Sequence, residues 1–159
     1  MNLIGFHLSI LMLPLCFAAS SQFSKEKVVT SDTLERTYWL YRPQAAKQKP
    51  ALVVVMHGYS GNAETIAAYS GMNELADEHG FLVAYPQGSI DGRDNAFFNV
   101  GYQFHADSKI DDVAYIEAMV RQMQERVSGE QNQICATGMS TGGDVSYLLA
   151  CRTGRVRRA

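Results

Sequence analysis

"NQICATGMSTGGDVSYLLAC", residues 132–151, is the stretch whose reading decides the fold. Its first part, 133–138, is a short run that reads as a strand, and from Asp144 to Cys151 a helix begins. Between them Gly138-Met139-Ser140-Thr141-Gly142 matches G-x-S-x-G, the turn that carries a buried strand straight into a helix. Glycines at both ends let such a turn be tight enough to throw the serine side chain out at the strand's carboxyl end. Ser140 is therefore the candidate nucleophile, with Gly138 and Gly142 as the elbow. The bland alternative is a solvated turn serine.

Working outward, the rest of the chain repeats the same alternation. "ALVVVMHG" (51–58) is a continuous β-branched run between Pro50 and Gly58, the pattern of a strand covered on both faces. Asn62 can cap a helix running to about His79, with Gly80 as its stop. "FLVAYP" (81–86) is a second buried strand, and Val113, Ile116, Val120, Met123 and Val127 give the period of a helix that buries one stripe. "RTYWLYRP" (36–43) alternates aromatic and polar residues, as an antiparallel or edge strand does. Strand, helix, strand, helix, strand, helix predicts an α/β doubly wound, mostly parallel sheet with right-handed crossovers. After the third strand the sequence supplies no clear partner, so that strand is expected to expose an unpaired edge.

Between Gln87 and Asp107 lies a Gly-, Asp- and Asn-rich loop with Phe97, Phe98, Tyr102 and Phe104, too long for a simple connection and hence a candidate functional loop. "HGYSGN" (57–62) ends the first buried strand. The backbone N–H groups of Tyr59 and Thr141 are the candidates for an oxyanion hole, and His57 reads as a scaffold residue.

With 159 residues, 47% of them apolar, the chain makes one ordinary domain. Four of its fourteen basic residues lie in the last eight positions, leaving ten basic against sixteen acidic groups elsewhere. That balance gives no electrostatic case for nucleic acid or anionic lipid. Histidines and cysteines are scattered without metal-ligand spacing, so neither a metal nor an organic cofactor is expected.

Residues 1–20 read as a secretory signal peptide: the first twenty-four residues carry no Lys, Arg, Asp or Glu, and the apolar run closes on Ala18, Ala19 and Ser20. The alternatives are a membrane anchor, against which His7, Ser9 and Pro14 interrupt the run, and a lipid on Cys16. The reading places a partial α/β domain at 21–151, outside the membrane once the leader is removed, and a basic tail at 152–159 that has the character of an out-of-frame end. The simpler reading of that tail is a solvated basic terminus. Cys135 inside a strand and Cys151 on the helix over it are expected to be two buried thiols, too far apart to join.

Taken together, "RTYWLYRP", "VVVMHGYSGNAE", "NELADEHGFLVAYPQG", "DDVAYIEAMV" and "ATGMSTGGDVSYLLAC" resemble the secreted α/β-hydrolase esterases grouped with poly(3-hydroxybutyrate) depolymerases and feruloyl or acetylxylan esterases. The chain is similar to the N-terminal half of that fold. The resemblance implies a serine esterase working through an acyl-enzyme at Ser140 on a polyester or an acylated plant polysaccharide, with the loop around Phe97 to Tyr102 near the substrate cleft. Thr141 stands where the family commonly has Asn, and Gln103 and Phe104 stand near where it often has cysteines. Asp111 and Asp112 fall at the family's Asp-Asp-Val and read as helix-capping residues rather than catalytic ones.

All four histidines (His7, His57, His79, His105) precede Ser140, whereas the order in this fold is Ser, then Asp or Glu, then His. Asp144 is the one acid after the serine. The expectation is a chain with the family's nucleophile and negligible turnover by itself. The alternative is a non-catalytic truncated product or a binding-only relic of the same fold.

Overall fold

The computed structural model describes residues 20–31, 33–126 and 133–153, together with the backbone of 156–158. The expected leader, 1–20, lies outside the described residues except for Ser20. Six strands form one sheet in the order β1-β2-β4-β3-β7-β8. They are β1 (Gln22–Val29), β2 (Glu35–Arg42), β3 (Leu52–Met56), β4 (Leu82–Pro86), β7 (Ile134–Gly138) and β8 (Val156–Arg158). The β3–β4, β3–β7 and β7–β8 pairs are parallel and the β1–β2 and β2–β4 pairs antiparallel.

Side-chain alternation along β3 shows why this sheet needs cover on both faces. Leu52, Val54 and Met56 point into a core shared with Tyr115, Ile116, Met119 and Met123 of α3 (Asp112–Arg126) and Val145 and Leu149 of α4 (Thr141–Thr153). Val55, on the opposite face, packs with Ala63, Ile66 and Ala67 of α1 (Ala63–Tyr69) and Ala76 of α2 (Met72–His79). Each buried Val, Leu, Ile or Met among these contributes about 1.5–3 kcal/mol, and each alanine less. The expected α/β architecture is thus the one observed, with helices on both faces of a mostly parallel sheet.

Three details differ from the sequence reading. The helix expected from Asn62 to His79 is two: Asn62 does cap α1 through Thr65 N–H (2.7 Å), but Gly71 adopts φ +70°, which no helix continues through, and α2 starts afresh. Of the two readings open for "RTYWLYRP" the antiparallel one holds: β2 pairs antiparallel with β1 along its whole length, from Gln22 opposite Arg42 to Val29 opposite Glu35, and with β4 on its other side. The edge of β7, expected to be unpaired, is not open: Ile134, Cys135 and Ala136 pair with Val156, Arg157 and Arg158. Main-chain amides pair whatever side chains they carry, so a basic tripeptide can extend a sheet that its composition does not announce. Finally, Cys135 is half-buried but Cys151 is exposed, because the end of α4 turns that position to solvent; both are free thiols.

The segment between β4 and α3 has structure of its own. β5 (Ser89–Ile90) and β6 (Ala96–Phe97) make a small hairpin, followed by a 3₁₀ turn at Gln103–His105. Asp111 caps α3, accepting Ala114 N–H at 3.0 Å. Asp112 does not act as a helix-end charge facing solvent. Its side chain is fully buried, bonded to the Arg36 guanidinium (2.7 Å) and to Asn99 N–H (2.6 Å). Arg36 also lies over the Tyr115 ring at 4.0 Å and donates to the Gln87 carbonyl at 3.2 Å. Burial pushes the Asp112 carboxyl up, against the pull of Arg36. This pair ties β2, the 87–99 loop and the head of α3 together.

Candidate active site

The elbow is built by pressing two backbones together. Met139 N–H donates to the Met56 carbonyl at 3.1 Å, which fastens the residue after β7 to the last residue of β3. A Cβ on Gly138 would sit 2.7 Å from Met56 O, and one on Gly142 would sit 2.3 Å from Met56 O and 2.7 Å from His57 O. Only hydrogen fits at either position. Ser140 is left at φ +52°, a left-handed conformation that costs an L-residue about 1–2 kcal/mol. Its side chain is exposed at the carboxyl end of the sheet, and its hydroxyl meets no hydrogen-bond partner among the described residues.

The turn 57–61 lies against the elbow. A Cβ on Gly58 would be 3.3 Å from Ser140 Cβ and 3.2 Å from Met139 O, so the two turns are in van der Waals contact. This turn is tight as well: Ser60 has φ +59°, Gly61 N–H returns to Gly58 O at 3.0 Å, and Ser60 N–H reaches Ala96 O at 2.8 Å. The Tyr59 N–H, in the same turn, meets no acceptor among the described residues. Thr141 opens α4, so its N–H has no intrahelical acceptor either. Gly138, Ser140, Thr141 and Gly142 lie on one elbow, and the 57–61 turn that carries Tyr59 lies against it. The Thr141 hydroxyl is buried without a partner among the described residues.

His57 is held by both ring nitrogens. Gly88 N–H donates to Nε2 at 3.0 Å, which makes Nε2 the acceptor and leaves Nδ1–H to donate to Gly58 O at 2.7 Å. The ring is buried against Phe98, and desolvation lowers its affinity for a proton. It braces the turn beside Ser140 and has no nitrogen left for the serine. A histidine whose folded pKa is depressed stabilises the fold fully above its unfolded pKa of about 6.5 and loses that contribution as pH falls from there toward the folded value. Denaturant midpoints measured from pH 7.5 to 5 are expected to fall in the wild-type chain, and His57→Gln is expected to flatten that slope.

Around the serine stands a rim of partly exposed aromatic side chains. Tyr102 donates to Asp144 Oδ2 (2.7 Å), in the first turn of α4, and stacks on Phe104 at 5.3 Å. Phe104 meets the Tyr59 ring edge-on at 6.2 Å, and the Tyr69 hydroxyl reaches Met139 Sδ at 3.3 Å. The loop from Phe97 to Tyr102 therefore does approach the elbow, through Tyr102, while Phe97 and Phe98 are buried beneath it. Asp144 holds Tyr102 besides sitting at the head of the helix.

Sequence reasoning missed Asp91 and His105. Asp91 Oδ2 accepts the Tyr59 hydroxyl (2.6 Å) and lies 3.3 Å from His105 Nε2, while Oδ1 accepts the N–H groups of Arg93 (2.8 Å) and Asn95 (2.9 Å). The Tyr59 hydroxyl first, then the Asn95 amide, hold the Asp91 carboxyl well below the usual carboxylate range. The stretch "DGRDN" (91–95) signals a turn, but nothing in it signals the tyrosine thirty-two positions earlier. Among the described residues, no cluster of three or more His, Cys, Asp or Glu side chains could hold a metal ion, and no helix is long and apolar enough to cross a membrane.

A mostly parallel sheet with a strained serine between a strand and a helix, and a second glycine-bearing turn against it, is the arrangement of the α/β-hydrolases. The sequence profile of the esterase PHB depolymerase family matches residues 36–159, and the chain belongs to that family. Among curated relatives it is similar to an acetylxylan esterase of Coprinopsis cinerea, 26% identical over 113 residues that make up 70% of this chain and 30% of the relative. It is also similar to a probable feruloyl esterase C of Aspergillus flavus, 33% identical over 98 residues, 62% of this chain and 32% of the relative. Two solved structures share the fold. An acetyl xylan esterase from Aspergillus awamori superposes with a TM-score of 0.59 at 21% identity, over 75% of this chain and 43% of the other. An S-formylglutathione hydrolase from Agrobacterium tumefaciens superposes with a TM-score of 0.65 at 17% identity, over 87% and 56%. The chain spans about a third of the length of the two curated relatives named here.

Proposed function

We propose that this chain is the nucleophile-bearing part of an exported serine esterase that cleaves carboxylic esters on an acylated plant polysaccharide or a polyester. The observation that carries the reading is Ser140 at positive φ with the unpaired N–H groups of Tyr59 and Thr141 beside it. Relatives named for acetylxylan and feruloyl esters, together with the family match, support the substrate class.

In this reading Ser140 Oγ attacks the ester carbonyl carbon, its proton passing to a base. The carbonyl oxygen takes the negative charge and is held by the two backbone donors, each worth about 10²–10³ in rate in such sites. Collapse expels the alcohol and leaves an acyl-enzyme on Ser140, which water then hydrolyses. The base is not one of the described histidines. His57 is spent on Gly58 and Gly88, His79 is exposed on α2, and His105 is engaged by Asp91. No described histidine is placed to activate Ser140, and negligible turnover by these 159 residues alone is accordingly part of the proposal.

A fluorophosphonate probe followed by intact-mass and peptide analysis tests this. Slow labelling confined to Ser140, abolished by Ser140→Ala, is the expected result. A label on another residue would sink the nucleophile assignment, and labelling at the rate of a complete serine hydrolase would sink the claim of negligible turnover.

A further inference from the structure

We propose that Asp91 is a positioning residue for the oxyanion hole, its carboxylate clamping the Tyr59 hydroxyl so that the Tyr59 backbone N–H is held beside Ser140. The proposal rests on the reading of Tyr59 N–H as an oxyanion donor and adds what keeps that donor in place.

An oxyanion hole stabilises charge only if its donors are already placed when the charge develops. Tyr59 sits in a turn that includes a left-handed Ser60, a conformation that does not hold itself. Gly58 O is held by Gly61 N–H and His57 Nδ1–H, and two further tethers reach Tyr59 and Ser60 themselves, both running through Asp91. The first is direct: Asp91 Oδ2 accepts the Tyr59 hydroxyl at 2.6 Å, so the side chain is anchored at its far end. The second is one residue along, where Ser60 N–H bonds to Ala96 O at 2.8 Å. Ala96 lies on β6, at the end of the hairpin whose turn is tied by Asp91 Oδ1 to the N–H groups of Arg93 and Asn95 and by Asp91 N–H to Asn95 O at 2.9 Å. One carboxylate thus spends one oxygen on the ring of Tyr59 and the other on the hairpin that carries the acceptor for Ser60.

The side chain of Asp91 is only 7% exposed, and that of His105 only 8%. His105 closes the cluster from the far side. Its Nε2 faces Asp91 Oδ2 at 3.3 Å, and its ring packs on Phe97 at 3.9 Å and near Tyr59 at 5.9 Å. A charged-group hydrogen bond of this kind, shielded from water, is stronger than a neutral exposed one. A carboxylate serving only the surface hairpin would have no need to reach Tyr59.

The test measures fluorophosphonate labelling of the 159-residue chain over a range of probe concentrations, separating the limiting rate of phosphonylation from the apparent affinity for the probe. Tyr59→Phe, which deletes one oxygen and keeps the ring and the backbone N–H, is expected to lower the limiting rate about tenfold with affinity unchanged, a fraction of what outright loss of an oxyanion donor costs. Asp91→Ala is expected to lower it at least as far, Asp91→Asn to recover part because it keeps an acceptor oxygen, and the Tyr59→Phe/Asp91→Ala double variant to be no slower than Asp91→Ala alone. Backbone ¹⁵N relaxation gives an independent reading: in Tyr59→Phe the Tyr59 amide becomes more mobile while the Thr141 amide does not. Wild-type limiting rates in Tyr59→Phe, or a loss of probe affinity in place of rate, would overturn the proposal and leave Ser140 as the nucleophile. Failure of the wild-type chain to label at Ser140 would overturn the esterase reading and this proposal with it.

Discussion

Gly142→Ala is expected to destabilise the chain by about 3 kcal/mol or more, whereas Gly143→Ala, one residue on, is expected to be neutral or slightly stabilising. The two glycines adjoin in the same helical turn, yet they face different neighbours. A methyl on Gly142 would fall 2.3 Å from Met56 O and 2.7 Å from His57 O, both backbone atoms of β3 and its exit. Neither can step aside without breaking the β3–β7 ladder, in which Met56 pairs with Gly138. The first atom met from Gly143 is Gly138 O at 3.4 Å, an ordinary contact. Alanine there gains helix propensity of up to about 1 kcal/mol over glycine. Urea midpoints of the two variants compared with wild type check the contrast. Because the contact broken in Gly142→Ala is the one that seats the elbow on β3, the variant is also expected to lose Ser140 labelling while still partly folded.

Removing Asp112 carries the second large effect. Asp112→Ala leaves the Arg36 guanidinium buried, its side chain only 9% exposed, with no counter-charge, and takes the acceptor from Asn99 N–H. Breaking one partner of a buried pair costs about 3–5 kcal/mol, because the surviving charge cannot be resolvated in place. Replacing both members by apolar residues of similar volume, as in Arg36→Met/Asp112→Leu, is expected to recover most of that loss, since no buried charge then remains. Denaturation of the two single variants and the double variant gives the coupling directly. The loss in Asp112→Ala is also expected to reach the cleft, since Arg36 and Asp112 anchor Gln87 and Asn99, the two ends of the segment that carries the β5–β6 hairpin.

The elements that the sequence announced are those whose signal is local. β3 and β4 are short apolar runs bounded by Pro and Gly, Leu-Val-Val-Val-Met and Leu-Val-Ala-Tyr-Pro, and an uninterrupted apolar run of that length reads as a strand covered on both faces. The elbow was legible for the same reason: a serine between glycines, between a strand and a helix, is a backbone requirement written in residue type. The break at Gly71 was harder to read, because a glycine inside a helical pattern can be either a tolerated residue or a stop. β8 was not readable at all, since its pairing is made by main-chain groups of a segment whose side chains carry the composition of a solvated end.

The sequence by itself determined the alternation of the central strands and helices and the tight serine turn between the last of those strands and its helix. Those depend on φ preferences, apolar runs and glycines at fixed offsets, which neighbours along the chain decide. Only the tertiary structure decided that His57 is spent on Gly58 and Gly88, that Asp112 answers Arg36, and that Asp91 reaches back to Tyr59. Each of these joins groups between one and seventy-six positions apart through hydrogen bonds that require burial and direction, and neither is encoded in a residue's type. A buried polar group must find its partner wherever the fold has placed one, so its role is settled by packing and not by its place in the chain.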